Sequence, residues 1–226
     1  ASRVLLLDLL GRARLVAVVG PGGCGKTRLA VEVAHRAARL GGFDSVDFVP
    51  LAGCTDADAM PDAMLRALGL PPSGTDPLAR VADALAGRRR LCVLDNVEQL
   101  LPAVSPRLAA LAARLPDVHW LVTSRQALGL DGEQRFALAA LPLPPADAPL
   151  ASLARNPAVS LFVDRARAAD AAFLLDAANA PDVVALVRRV DGLPLAIELA
   201  AARARSLAPG RMLALMAPRD GTALAW

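Results

Sequence analysis

Gly20-Pro21-Gly22-Gly23-Cys24-Gly25-Lys26-Thr27 decides how the chain is read. It follows a short apolar run, Leu15 to Val19 (LVAVV), and leads into Thr27 to Leu40. There Leu29, Ala30, Val33, Ala34, Ala37 and Ala38 recur at helical spacing until Gly41-Gly42 stops them. The octapeptide fits G-x-x-x-x-G-K-[ST], and its position between a strand and a helix gives the pattern a mechanical sense. Glycines permit the tight turn and aim successive N–H groups inward as an anion nest. The helix that starts at Lys26 sets its positive dipole end beneath the same anion. Lys26 suits β- and γ-phosphates as a point charge, and the Thr27 hydroxyl suits Mg²⁺. This reading assigns Gly20, Gly22, Gly23, Cys24, Gly25, Lys26, Thr27 and Arg28 to the phosphates of a nucleotide, with Thr27 also a metal ligand.

Outward from the loop, Val46 to Leu51 reads as a second strand, and residues 55–69 and 77–87 as helices separated by Pro71-Pro72-Ser73-Gly74. Leu91 to Leu94 is an apolar strand ending at Asp95, Pro106 to Leu115 a helix, Val118 to Thr123 a fourth strand, and Gln134 to Leu138 a fifth. Strands alternating with helices imply an α/β fold with a parallel five-stranded sheet covered on both faces. The pattern then changes. Leu141 to Pro149 (LPLPPADAP) has the chemistry of a linker, and only helical periods follow, at 157–169, 180–190 and 194–207. The boundary is expected near residue 148, with the α/β domain over 1–148 and a small all-helical domain over 149–226.

Asp95 is the natural partner of the glycine loop. A buried strand delivers its carboxylate at the C-terminal edge of the sheet, where ligands sit in open α/β folds. It would hold Mg²⁺ directly or through water, or it caps the next helix. Asn96 is a cap or a group that orients water. Of the four glutamates, Glu32, Glu98, Glu133 and Glu198, Glu98 lies nearest the strand end. It is read either as a catalytic base that activates water or as an exposed first-turn acid. Arg125, closing Val122-Thr123-Ser124-Arg125, either reads the γ-phosphate with its forked charge or is a surface arginine. Cys24 sits inside the nest, where a thiol can be activated; the simpler reading gives it only a backbone N–H to contribute. His35 and His119 stand alone and read as packing or surface residues.

Composition narrows the classes. With 226 residues and 55% hydrophobic content, a sizeable core is available, and disorder is excluded as the main state. Mean hydropathy is +0.42, but no run of 18 apolar residues exists to span a membrane, and no signal peptide is expected at the start. Cys24, Cys54 and Cys92 are too few and too scattered for a disulfide framework, which suggests a reducing, cytoplasmic setting. The net charge of +3 and 3% aromatic content give poor support for a stacking nucleic-acid surface. Arg88-Arg89-Arg90 reads as a solvated lead-in to a strand. All but one of the 25 basic residues are arginine, and isoleucine (Ile197) occurs once. That usage looks like GC-rich bacterial coding, and it leaves the one lysine, Lys26, where a compact ammonium is needed.

In order, GPGGCGKTRLA (20–30), LCVLDNVEQLL (91–101), LVTSRQALGLDGEQRFALAALPLP (121–144), NPAVSLFVDRARAAD (156–170) and VDGLPLAIELAAAR (190–203) resemble the NB-ARC-like module of STAND regulators. These are signal-transduction ATPases with numerous domains, and the likeness is to the bacterial branch in transcriptional activators of the antibiotic-regulatory and LuxR-like types. The resemblance covers nearly the whole chain, and Gly192-Leu193-Pro194-Leu195 is its most specific element. It implies a P-loop NTPase domain followed by a helical, ARC1-like domain. It further implies an ATP/ADP switch with slow Mg²⁺-dependent hydrolysis. Lys26 and Thr27 match the phosphate and metal residues, Asp95 the metal-side acid, Arg125 the sensor of the γ-phosphate, and Pro194 the proline that packs near the adenine. Asn96 stands where many relatives carry a second acid. A winged-helix domain would follow the last helices, yet the sequence ends at Trp226, so this stretch is expected to lack the effector and sensor domains. Self-association in the ATP form and DNA contact through other domains are implied for a longer protein, with no membrane role. The rival reading is a steady ATPase or small-molecule phosphotransferase, separable by turnover.

Overall fold

The computed structural model describes residues 2–72, 76–145 and 148–216. Ser73 and Gly74 of the proline-rich separator, part of the 141–149 segment and Trp226 lie outside the described residues. The fold forms two compact units, divided between Leu138 and Ala139.

The first unit runs α1 (Ser2–Arg12), β1 (Leu15–Val19), α2 (Lys26–Leu40), β2 (Ser45–Pro50), α3 (Ala59–Ala67), α4 (Pro77–Leu85), β3 (Arg90–Asp95), α5 (Val104–Arg114), β4 (Val118–Ser124) and β5 (Gln134–Ala137), with a 3₁₀ turn at Glu98–Leu100. All strand pairs are parallel, in the order β2-β3-β4-β1-β5. Because side chains alternate along a strand, each apolar run serves two cores. Ala17, Cys92, Leu94, Trp120 and Val122 pack under α3, α4 and α5 with Met60, Leu65, Leu85 and Leu108. Val16, Val18, Leu91, Val93 and Leu121 face α1 and α2, where Leu6, Leu10, Leu29, Ala30 and Val33 are buried. Each fully buried leucine contributes roughly 1.5–3 kcal/mol. Gly41 ends α2 in the left-handed region at φ 69°, where its N–H reaches the Ala38 carbonyl.

The arginine run departs from expectation at its end. Arg90 is drawn into the sheet and pairs with Asp47 at 3.3 Å, each side chain only 15% exposed, while Arg89 lies over the Phe43 ring. His119 is a packing residue. Its Nδ1 lies 3.0 Å from the Leu10 carbonyl, and its ring meets Phe43 edge-on.

The second unit holds α6 (Leu150–Leu153), α7 (Pro157–Ala169), α8 (Ala180–Arg189), α9 (Pro194–Ala201) and α10 (Pro209–Met216) around Phe162, Val183, Leu186, Val187 and Ile197. Asn156 caps α7 by accepting from the N–H groups of Ala158 and Val159, with Pro157 at the first helical position. The helix expected over 194–207 stops at Ala201, because Arg203, Ala204 and Ser206 instead bond three residues back in 3₁₀ fashion. The division also falls ten residues before the expected boundary near 148. The proline-rich stretch is bonded into the helical unit: the Leu141 N–H donates to the Gly192 carbonyl, Asn156 to Pro142 and Arg188 to Pro144.

Candidate functional site

The polar groups of the first unit collect at the C-terminal ends of β1, β3 and β4. The loop leaving β1 is shaped by its glycines, of which Gly20, Gly23 and Gly25 resist a side chain. A Cβ on Gly20 would stand 2.3 Å from the Leu138 carbonyl oxygen and 2.9 Å from the Cys24 sulfur. Gly23 and Gly25 take φ values of 76° and 98°, in the left-handed region that L side chains avoid. Gly25 occupies the cap position of α2, where no side chain caps the first-turn N–H groups.

Lys26 is buried in this loop, and its ammonium donates to the Gly20 and Pro21 carbonyls at 2.9 and 3.1 Å. Among the described residues no carboxylate pairs with it. A buried ammonium satisfied by carbonyl dipoles alone lacks a counter-charge, so the donor set fits an anion. Next to it the Thr27 hydroxyl donates to Asp95 Oδ1 at 2.8 Å, and the Thr123 hydroxyl donates to the same oxygen at 2.6 Å. Thr27 and Asp95 offer adjacent hard oxygens of the kind Mg²⁺ takes. Among the described residues no cluster of three or more His, Cys, Asp or Glu could hold a metal. Phosphate and water oxygens would therefore have to complete the shell of such an ion, as Mg²⁺ prefers.

Asp95 stands beside the glycine loop, in hydrogen-bond reach of Thr27, although β4 lies between β1 and β3. Thr123, at the end of β4, spans that gap: it donates to Asp95 and accepts the Asn96 N–H at 2.8 Å. Its signal in the sequence is a hydroxyl at the end of an apolar strand. Asn96 is not the cap of the turn that follows, a place taken by Val97. It turns the chain at φ 67°, a left-handed value that asparagine tolerates, and its side chain donates to Gln99, which in turn donates to the Leu51 carbonyl.

Arg125 lies over the loop. A Cβ on Gly22 would meet its Cζ and Nη2 at 3.6 Å. Its Nε donates to Glu98 Oε1 at 3.0 Å. Glu98 is not an exposed first-turn acid: it opens the 3₁₀ turn, its side chain is 14% exposed, and Oε2 is buried with no hydrogen-bond partner among the described residues. Cys24 is buried with its sulfur turned toward Gly20, and its N–H reaches the Pro21 carbonyl at 3.4 Å. Arg28 is exposed on the first turn of α2. Pro194 belongs to the second unit, where it is the first residue of α9 after Gly192 at φ 65°. Away from the site, burial pushes the Cys92 thiol far above its ordinary range and raises that of Cys54.

Comparison with known proteins agrees with this geometry. Residues 9–130 match the AAA domain family. A protein of Mycobacterium tuberculosis (strain ATCC 25618 / H37Rv), named by inference an HTH-type transcriptional regulator, is 38% identical over 202 residues, covering 89% of this chain and 21% of that protein. The regulatory protein AfsR of Streptomyces coelicolor is 40% identical over 121 residues, covering 46% of this chain and 12% of AfsR. The chain thus spans about a fifth or less of these two relatives. In fold it is similar to the ORC1 protein of Aeropyrum pernix solved in complex with DNA (TM-score 0.58, 20% identity, 88% of this chain and 58% of that one). Among the described residues no helix is long and apolar enough to cross a membrane. With the glycine loop, the parallel sheet and the family match in agreement, the chain belongs to the AAA domain family, whose P-loop ATPase fold implies nucleotide binding.

Proposed function

We propose that this chain is the adenine-nucleotide switch of a larger, signal-responsive transcriptional regulator, an NB-ARC-like module of the STAND class with slow Mg²⁺-dependent ATP hydrolysis. The observation that carries the reading is the buried Lys26 ammonium, held by two loop carbonyls and paired with no carboxylate among the described residues. Loop N–H groups and Lys26 bind the phosphate tail; Thr27 and Asp95 hold the metal; Thr123 fixes the Asp95 carboxylate in register with the loop. Thr27 and Asp95 would hold Mg²⁺ where it would supply positive charge to the phosphate tail. Arg125, seated against Gly22, reads the γ-phosphate. Glu98, the candidate base nearest the end of β3, is paired with Arg125 in the nucleotide-free site, and hydrolysis is slow because Asn96 supplies a turn instead of a second acid.

In the full protein the ATP form self-associates and the ADP form does not, while DNA is contacted through other domains; the setting is cytoplasmic. The likeness to transcriptional regulators supports this placement. A nucleotide shifts such an equilibrium only by its differential affinity for the two forms. The test is to denature the purified protein, identify the released nucleotide by chromatography, and compare scattering profiles with ADP and with a non-hydrolysable ATP analogue. The reading expects near-equimolar ADP or ATP and two distinct profiles. A guanine nucleotide, or identical profiles with both ligands bound, would contradict it.

A further inference from the structure

We infer that Glu98 is a latch on Arg125, competing with the terminal phosphate of a bound nucleoside triphosphate and so setting how strongly the site prefers triphosphate over diphosphate. The inference rests on the nucleotide reading above.

Three observations carry it. Arg125 lies against Gly22, on the rim of the loop that would hold the phosphates, and its Nε is bonded to Glu98 at 3.0 Å. Second, the two partners are unlike. Glu98 is fixed, because its 3₁₀ turn follows the left-handed Asn96, Gln99 donates to the Leu51 carbonyl at 2.7 Å, and Leu100 is buried. Arg125 is 67% exposed on a long side chain, so the arginine is the partner that moves. Third, Glu98 Oε2 is buried with no hydrogen-bond partner among the described residues. That carboxylate is incompletely satisfied, and Arg125 is its one paired cation among the described residues. A terminal phosphate carries more charge than one carboxylate and accepts the guanidinium fork in two places. It draws Arg125 away from Glu98, and a buried carboxylate is left to be compensated. A diphosphate, which stops one group short, leaves the pair closed. The latch therefore subtracts from triphosphate affinity alone.

An ion pair with one exposed partner is worth up to about 1 kcal/mol, which corresponds to roughly fivefold in affinity. The experiment measures, by calorimetry with Mg²⁺, the dissociation constants of ADP and adenylyl imidodiphosphate for the parent chain, Glu98→Gln, Glu98→Asp, Arg125→Ala and Glu98→Gln/Arg125→Ala. Breaking the latch should raise the preference for the triphosphate analogue by about two- to fivefold in both single Glu98 variants. The gain should vanish when Arg125 is already alanine. Glu98→Asp keeps a carboxylate, so it carries the test if Glu98→Gln melts early. A preference that is unchanged or reduced overturns the latch, as does an equal gain in the Arg125→Ala background. A parent chain that binds neither nucleotide would instead overturn the nucleotide reading itself.

Discussion

Replacing Thr123 with valine removes one hydroxyl that serves two neighbours. It donates to Asp95 at 2.6 Å and accepts the Asn96 N–H at 2.8 Å. Thr123 is 1% exposed, so water cannot enter without disturbing the strand end. A hydrogen bond to a charged acceptor contributes about 1.5–3 kcal/mol, and a buried N–H left without a partner costs about 1–3 kcal/mol. Asp95 keeps the Thr27 hydroxyl, which places the expected loss nearer the lower sums, about 3 kcal/mol. For a unit of this size that lowers its melting temperature by about 10 °C. Trp120 is fully buried on the same strand, so its fluorescence reports the first unit, provided Trp226 is replaced by phenylalanine throughout. Thr123→Ser is the control. It keeps the hydroxyl and loses one methyl, at a cost of about 1 kcal/mol. A valine variant within 1 kcal/mol of the parent, or a serine variant as damaged as valine, would refute the account of Thr123 as the link between the two strand ends.

Two further outcomes follow from local chemistry. Burial, with the Arg89 and Arg14 guanidiniums nearby, lowers the His119 pKa below its ordinary 6.5, against a weaker pull from backbone carbonyls. The folded chain thus favours the neutral ring, and stability is whole above pH 6.5 and falls as the pH drops from 6.5 toward the lowered folded value. Urea titrations at stepped pH should show that decline, and His119→Gln should flatten this part of it. In the loop, Gly20→Ala meets the Leu138 carbonyl at 2.3 Å and must displace backbone, whereas Gly25→Ala finds open space but keeps φ at 98°. Melting curves should show the Gly20 variant losing well over the roughly 1–2 kcal/mol of left-handed strain expected at Gly25; the reverse order would contradict the loop geometry.

The sheet was legible because buried parallel strands read as apolar runs, and Leu15–Val19, Arg90–Asp95 and Val118–Ser124 stand out between polar turns. The helices at the two ends of the described chain were not. In α1 only Leu6 and Leu10 are buried while Val4 and Leu5 face solvent, so its leucine run masks the period. Gly210 interrupts the start of α10. Prolines at 142, 144 and 145 read as a linker, yet the carbonyls of Pro142 and Pro144 accept hydrogen bonds from the helical unit, a partnership that local composition does not encode. At the site, Lys26, Thr27 and Asp95 were readable because their chemistry is tied to short motifs. The Thr123 bridge was not, since it depends on β4 lying between β1 and β3. Glu98 and Arg125 were each singled out, but their pairing across 27 positions emerges only from the fold.

The account turns on whether the buried ammonium of Lys26 answers a polyphosphate. Isothermal titration of ADP and of a non-hydrolysable ATP analogue into the parent chain and into Lys26→Ala, with Trp120 fluorescence verifying that both are folded, tests this most directly. The predicted result is clear binding heat for the parent and none for the folded variant; undiminished affinity in Lys26→Ala would contradict it.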